Sequence, residues 1–216
     1  MITVSETVES IVRHSGLFEE AILEDIINYS ALARKIRPEV EKQLYKNIQE
    51  GAILMALKRL SSKIKHRYAV KNVFKDPPDM IVRSNLIEFT TTNSDFLVQR
   101  HKDILAEVDL QKKYFLIITQ GVFETTVIVS QDLGNKISRI LKKGNIISQF
   151  DHLSAITIKL PRQVVSTPGV YNLFLKTLHW EGINVIEVAS TYTEFTIILK
   201  DNDVDRAFSV LINIFK

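Results

Sequence analysis

The chain has 216 residues, 45% of them apolar, with 28 Lys+Arg against 25 Asp+Glu, a formal net charge of +3 and no cysteine. This composition excludes intrinsic disorder, disulfides, thiolate zinc sites and cysteine nucleophiles, and it fits a reducing, cytoplasmic setting. No charge-free apolar run approaches the roughly 18 residues of a membrane-spanning helix, and the first residues carry neither a basic leader nor an apolar signal core.

The charge is unevenly spread. Residues 1–33 sum to −5 and residues 34–75 to +9, whereas residues 76–150 balance and residues 151–216 sum to −1. The first 65 residues read as helices. Val4, Val8, Ile11 and Val12 follow the spacing of one helical face. After Gly16 a second apolar helix takes in Leu17, Phe18, Ala21, Ile22, Leu23, Ile26 and Ile27. Val40, Leu44 and Ile48 recur every four residues after Pro38, which suits a first helical turn. A further helix begins near Gly51, with Ile53, Leu54, Leu57 and Leu60 inward and Lys58, Arg59 and Lys63 outward.

Lys75-Asp76-Pro77-Pro78-Asp79 breaks any helix and marks a boundary, so a helical domain of residues 1–75 is expected. Beyond it, β-branched runs alternate with helical stretches. Strands are predicted at Leu86–Thr92, Tyr114–Thr119, Thr125–Ser130 and Asn145–Gln149, and helices at Asp95–Val108 and Gln131–Lys143. A second set predicts strands at Ala155–Leu160, Asn184–Ser190 and Glu194–Leu199, with helices at Gly169–Glu181 and Asp201–Phe215.

The two sets read as one unit repeated 70 residues later without a gap. Residues 124–129 lie over residues 194–199, Ile104 over Phe174, and Leu141 over Leu211. Each copy reads β-α-β-β-α, the split βαβ pattern of ferredoxin-like domains. The fold class expected is α+β: an N-terminal helical domain, then two ferredoxin-like βαββαβ domains at residues 80–150 and 151–216. The second copy ends without a last strand, so strand exchange between copies or pairing across a dimer is expected to fill its edge.

Thr167-Pro168-Gly169-Val170, Gly182-Ile183-Asn184-Val185 and the run from Ser190 to Leu199 occur in order and at domain spacing. With them the tandem resembles the ACT domain family, and in particular the ACT pair at the C-terminus of aspartokinases. The resemblance covers about residues 80–216. It implies a regulatory module that binds a small effector, commonly an amino acid, at the loop after the first strand and the start of the first helix. Matched residue by residue, it implies a pocket of Ser166, Thr167, Pro168, Gly169, Val170, Asn184 and Val185. Free amides and the helix dipole at such a start favour a carboxylate, and Asn184 can both donate and accept. The same Thr-Pro-Gly run also serves as a plain cap and turn. The first copy departs from the pattern, with Val98, Gln99 and Tyr114 at the positions of Pro168, Gly169 and Asn184. The resemblance further implies a homodimer through the sheets. Trp180, Tyr171 and Phe174 are candidates for that contact or for ordinary core packing.

No catalytic domain is expected. About 75 residues precede the pair, far fewer than an amino-acid kinase domain has. No glycine lies between Gly51 and Gly121, and no phosphate-loop pattern occurs. His14, His66, His101, His152 and His179 are scattered, and no cofactor or metal is implied. An alternative output is DNA binding. Residues 30–36 and 51–61 look like the two helices of a helix-turn-helix or winged helix, with Lys58, Arg59, Lys63 and Lys65 toward phosphates. About fourteen residues intervene where a short turn is usual. The same basic residues also suit a solvated face, or pairing with the acids of residues 1–33.

Overall fold

The computed structural model describes residues 2–64, 73–93, 95–107, 114–141 and 146–215. Two compact units divide the chain, residues 1–69 and residues 70–216.

The first unit is helical. Helix α1 (Val4–His14) starts at a capping box: the Thr3 hydroxyl accepts from the Glu6 amide at 3.2 Å, and the Glu6 carboxylate accepts from the Thr3 amide at 2.8 Å. Helix α2 (Gly16–Leu23) stops short of Ile26, which is exposed. Helix α3 (Tyr29–Leu44) and helix α4 (Glu50–Ser61) follow. Val8, Val12, Ala33, Val40, Ile53 and Leu57 make their common core.

Pro38 does not open a helix here. It sits inside α3, where it removes one backbone donor. Ile36 and Val40, buried on either side of it, hold the helix through that gap. As a result α3 and α4 are joined by five residues, 45–49, and the rest of the gap of fourteen is helix. Tyr45 ends α3 in the left-handed conformation, and the Glu41 carboxylate accepts from the Ile48 amide at 2.9 Å and from Arg37 Nε at 2.8 Å. These two bonds, the backbone one foremost, hold the Glu41 carboxyl below its ordinary range.

The second unit is built on one six-stranded sheet. Its elements are β1 (Met80–Thr92), α5 (Asp95–Ala106), β2 (Leu116–Gln120), β3 (Glu124–Ser130), α6 (Gln131–Leu141), β4 (Ile146–Lys159), α7 (Val170–Trp180), β5 (Glu187–Ser190), β6 (Glu194–Lys200) and α8 (Val204–Asn213). The strand order is β2-β3-β1-β4-β6-β5, and every neighbouring pair described is antiparallel. The short strands predicted at 145–149 and 155–160 are one long strand, β4. Its first part pairs with the end of β1 (Phe89 opposite Gln149), and its last part pairs with the start of β1 (Ile81 opposite Thr157). Each long strand thus serves both halves. The end of β1 is the first strand of its own half, and the start of β1 is the outer strand of the other half, paired with the last part of β4. That exchange places the start of β1 along the outer side of the second half's first strand.

A local twofold relates the halves, with Leu86 opposite Leu153 near its centre. Both long strands bulge there. Asn85 on β1 and His152 on β4 take positive φ at the register shifts. The register corrects the gapless 70-residue repeat. Ile128 and Ile198, 70 apart, lie opposite Glu88 and Ala155, which are 67 apart. Thr90 meets Thr126 at 3.3 Å, and Thr157 meets Thr196 at 2.9 Å, in the same relation. The second copy therefore holds three extra residues between its first strand and its first helix. A 3-10 turn, Arg162–Ser166, lies in that stretch.

One sheet face carries the helices. Ile104, Phe89, Val127, Ile137 and Leu141 form the core of the first half. Phe174, Phe195, Ile156, Ile197 and Leu211 form that of the second, and Phe74 joins it from ahead of the two prolines. Phe74 meets Phe174 edge-on at 6.1 Å and Phe215 at 4.9 Å. None of this unit's described helices packs on the other face, yet Leu86, Ile128, Leu153, Ala155 and Ile198 on it are buried, with Phe115, Ile117 and Ile186 against them. The sheet buries this face by curling on itself, so that its two outermost strands, β2 and β5, line one cleft.

Candidate functional site

The loop from Arg162 to Val170 positions most of the predicted pocket. The hydroxyls of Ser166 and Thr167 both donate back to the Gln163 carbonyl, at 3.1 and 2.9 Å. They are committed to the turn, and Thr167 is not the helix cap. Gly169 is the cap residue, with φ 89°, and no side chain caps α7. Pro168 precedes the helix instead of opening it, and Val170 is its first residue and is buried. Only glycine adopts φ 89° without strain, so the sequence folds this entry through Gly169. Pro168 and Gly169 are exposed.

Asn184 is exposed, in the loop between α7 and β5. The strand starts later than predicted, at Glu187, although the Ile186 amide already bonds the Ile198 carbonyl at 2.8 Å. Val185 packs against the same core that holds Val170. Residues 166–170 are thus contiguous along the chain, and Val185 joins Val170 through the core. In the first half, Tyr114 packs against the helix-side core. Among the aromatic residues expected at an interface, Phe174 is fully buried, Tyr171 stacks on Phe195 at 4.7 Å, and Trp180 is exposed with Lys176 Nζ 4.4 Å from its ring centre.

The sequence reading missed the cleft on the helix-free face. It measures about 720 Å³ and lies between β2 and β5. Phe115, Ile117 and Thr119 line one side, and Thr157, Thr196 and Glu194 the other, with Arg83 at its margin. None of the seven predicted pocket residues lines it. Alternation along the strands carried a signal for this: Thr90, Thr126, Thr157 and Thr196 share the face, and each half pairs two of them.

Glu88 was also missed. It is a carboxylate in the middle of β1, only 4% exposed, and its Oε2 has no hydrogen-bond partner among the described residues. Burial, and after it the negative charge of Glu187 on β5, push its carboxyl up to about 7. The run Leu86-Ile87-Glu88-Phe89 held the signal, a lone acid inside an apolar strand.

In the helical unit, Lys58 and Arg59 are exposed on α4, and Arg59 Nη2 donates to the Ser5 hydroxyl at 3.1 Å. Lys63 follows the helix and is exposed, and Lys65 lies outside the described residues. Two other bases of the +9 stretch pair within it, Arg34 with Glu50 at 3.1 Å and Arg37 with Glu41 at 2.8 Å. No observation favours the nucleic-acid reading. Among the described residues no group of three or more His, Asp or Glu could hold a metal ion, and no helix is long and apolar enough to cross a membrane.

No family model and no curated relative matches the sequence. Solved structures do match its fold. The regulatory subunit of aspartate kinase from Thermus flavus matches over 66% of this chain and 100% of its own, with a TM-score of 0.54 and 14% identity. The regulatory subunit of aspartate kinase from Thermus thermophilus, in its ligand free form, matches over 63% of this chain and 97% of its own, with a TM-score of 0.51 and 14% identity. Aspartate kinase from Synechocystis has a TM-score of 0.54 at 18% identity, over 65% of this chain and 27% of the kinase. The shared feature is a fold: this chain is similar in architecture to aspartate kinase regulatory regions.

Proposed function

We propose that residues 70–216 form a regulatory module that binds a small effector, an amino acid by class, and that the chain carries no kinase chemistry of its own. The observation that carries this reading is the six-stranded sheet of two strand-exchanged halves, taken with its likeness in fold to regulatory subunits of aspartate kinase. We read the halves as two ferredoxin-like ACT modules, residues 80–150 and 151–216, behind the helical unit of residues 1–69; Phe74, within the 1–75 expected for the helical domain, packs instead in the core of the second half. The module works as a homodimer through its sheets, in the cytoplasm.

The effector site in this reading is the entry to α7. Gly169, as a bare cap, leaves the first-turn amides of the helix open to a carboxylate. Asn184 is exposed and able to meet an ammonium and a carboxylate at once. Ser166 and Thr167 shape the turn, Pro168 holds its entry, and Val170 and Val185 tie it to the core.

Thermal unfolding of the full chain against each of the twenty amino acids tests this. A ligand at a hundredfold excess over Kd adds about 2.7 kcal/mol of stability. The expected result is a shift with one or a few amino acids that Asn184→Ala removes. Asn184→Ala is the better probe, because Gly169→Val would also strain a left-handed residue. No shift with any amino acid would refute the sensor reading. Formation of aspartyl phosphate by the purified chain would refute the non-catalytic one.

A further inference from the structure

Glu88 stands where few chains place a carboxylate. It lies on the helix-free face of β1, opposite Ile128 of β3 on one side and Phe150 of β4 on the other. Neither neighbour bears a charge. Beyond Ile128, β2 brings Ile117. From the other half, β6 brings Ile198 to this face and β5 brings Glu187. Arg83 of β1 and Lys200 of β6 occupy the same face past the bulges. Among the described residues Glu187 is the charged group whose field acts on Glu88, and it has the same sign.

In the strand order Glu88 and Glu187 stand three strands apart. Only the curl of the sheet brings their charges to act on each other. The orphaned Oε2 therefore sits where the first half faces the second, beside a small apolar cluster that holds the two together. An ionised carboxylate there is nearly shielded from solvent, its Oε2 has no donor among the described residues, and it repels Glu187.

We propose that Glu88 and Glu187 form a proton-dependent lock between the two halves of the sheet: with Glu88 protonated the halves close on each other, and with Glu88 ionised the β5 edge loosens and the cleft beside it opens. The lock stands on the fold alone and holds whether or not an effector binds at α7.

The direction follows from linkage. The closed state binds the proton more tightly, because its carboxyl is raised to about 7 from the ordinary 4.5. Opening is therefore favoured as pH rises between those values, and it levels off above them.

The test is hydrogen exchange of the full chain, corrected for intrinsic rates, from about pH 5 to about pH 8, with a carboxyl-carbon NMR titration of Glu88 alongside. Exchange of the β5 amides, residues 187–190, is expected to rise by up to about tenfold per pH unit below the Glu88 midpoint, then flatten. Glu88→Gln should abolish that rise while leaving the helical unit unchanged. Glu187→Gln keeps the buried acid and should move the Glu88 midpoint down. The same pH dependence in Glu88→Gln as in the native chain would overturn the lock. A Glu88 carboxyl titrating near 4.5, or a midpoint indifferent to Glu187→Gln, would overturn it too. Should Glu88→Gln fail to fold, the titration and Glu187→Gln decide the matter.

Discussion

Opposite Ile128 the first half of the sheet places Glu88, and opposite Ile198 the second half places Ala155. The two positions are related by the local twofold, so one scaffold holds a buried acid in one half and a methyl group in the other. The helix-side cores differ as well. The second half stacks Phe174 on Phe195 and meets Phe74 and Phe215, whereas the first relies mainly on aliphatic residues such as Ile104, Val127 and Ile137. The backbone pairing that makes the repeat is indifferent to these choices, because antiparallel bonds use main-chain groups alone. Side chains at related positions are thus free to diverge, one half toward packing and the other toward a titratable group.

The sharpest way to probe the contrast is to empty each core at its matched position. Phe174→Ala is expected to lose about 3–5 kcal/mol, and Ile104→Ala less, about 2–4 kcal/mol, by urea unfolding. Equal losses would mean that the aromatic cluster adds nothing to the second half. Next comes Glu88. As pH rises from about 4.5 to about 7, the native chain should lose up to about 3 kcal/mol relative to Glu88→Gln, with no further loss above. The sign is that of a carboxyl raised on folding: its proton favours the folded state, and stability falls as that proton leaves.

A smaller effect is expected where the long strands cross. The buried Ser154 hydroxyl donates to Asp201 Oδ1 at 2.5 Å and lies 3.0 Å from the Ser84 hydroxyl. Ser154→Ala should cost about 2 kcal/mol, while Ser84→Ala, which leaves the Asp201 bond in place, should cost less. The smallest effect belongs to the helix entry. Gly169→Ala forces a Cβ into φ 89° and should cost about 1 kcal/mol, visible as a lower Tm. An unchanged Tm would mean that the α7 entry relaxes to an ordinary cap.

The elements of the sheet unit were mostly legible, because apolar alternation and helical spacing depend on near neighbours. Glu194-Phe195-Thr196-Ile197-Ile198-Leu199 alternates between the two faces and is a strand in the structure. What failed was any statement that needed register. A bulge shifts which face a residue takes without changing the local pattern, so the gapless repeat concealed the displacement in the first strand. Pro38 failed for a related reason: a proline weakens a helix locally, and only the core around Ile36 and Val40 decides whether the helix survives. The loop leading into α7 could be located by its Pro-Gly pair. Which of its hydroxyls were already committed to Gln163 could not, because a turn's internal bonds depend on its closed geometry.

By itself the sequence determined the helical start, the change of texture after Pro77 and Pro78, and the presence of two related βαββα units, since each rests on periodicity within a short window. Tertiary structure alone decided that β1 and β4 each serve both halves. It also decided that β2 and β5 face one cleft, and that the acid of residue 88 is buried against the charge of residue 187. These follow from how far a sheet curls. That curl is set by long-range packing of Leu86, Ile128, Leu153 and Ile198 on the helix-free face, residues that lie far apart along the chain.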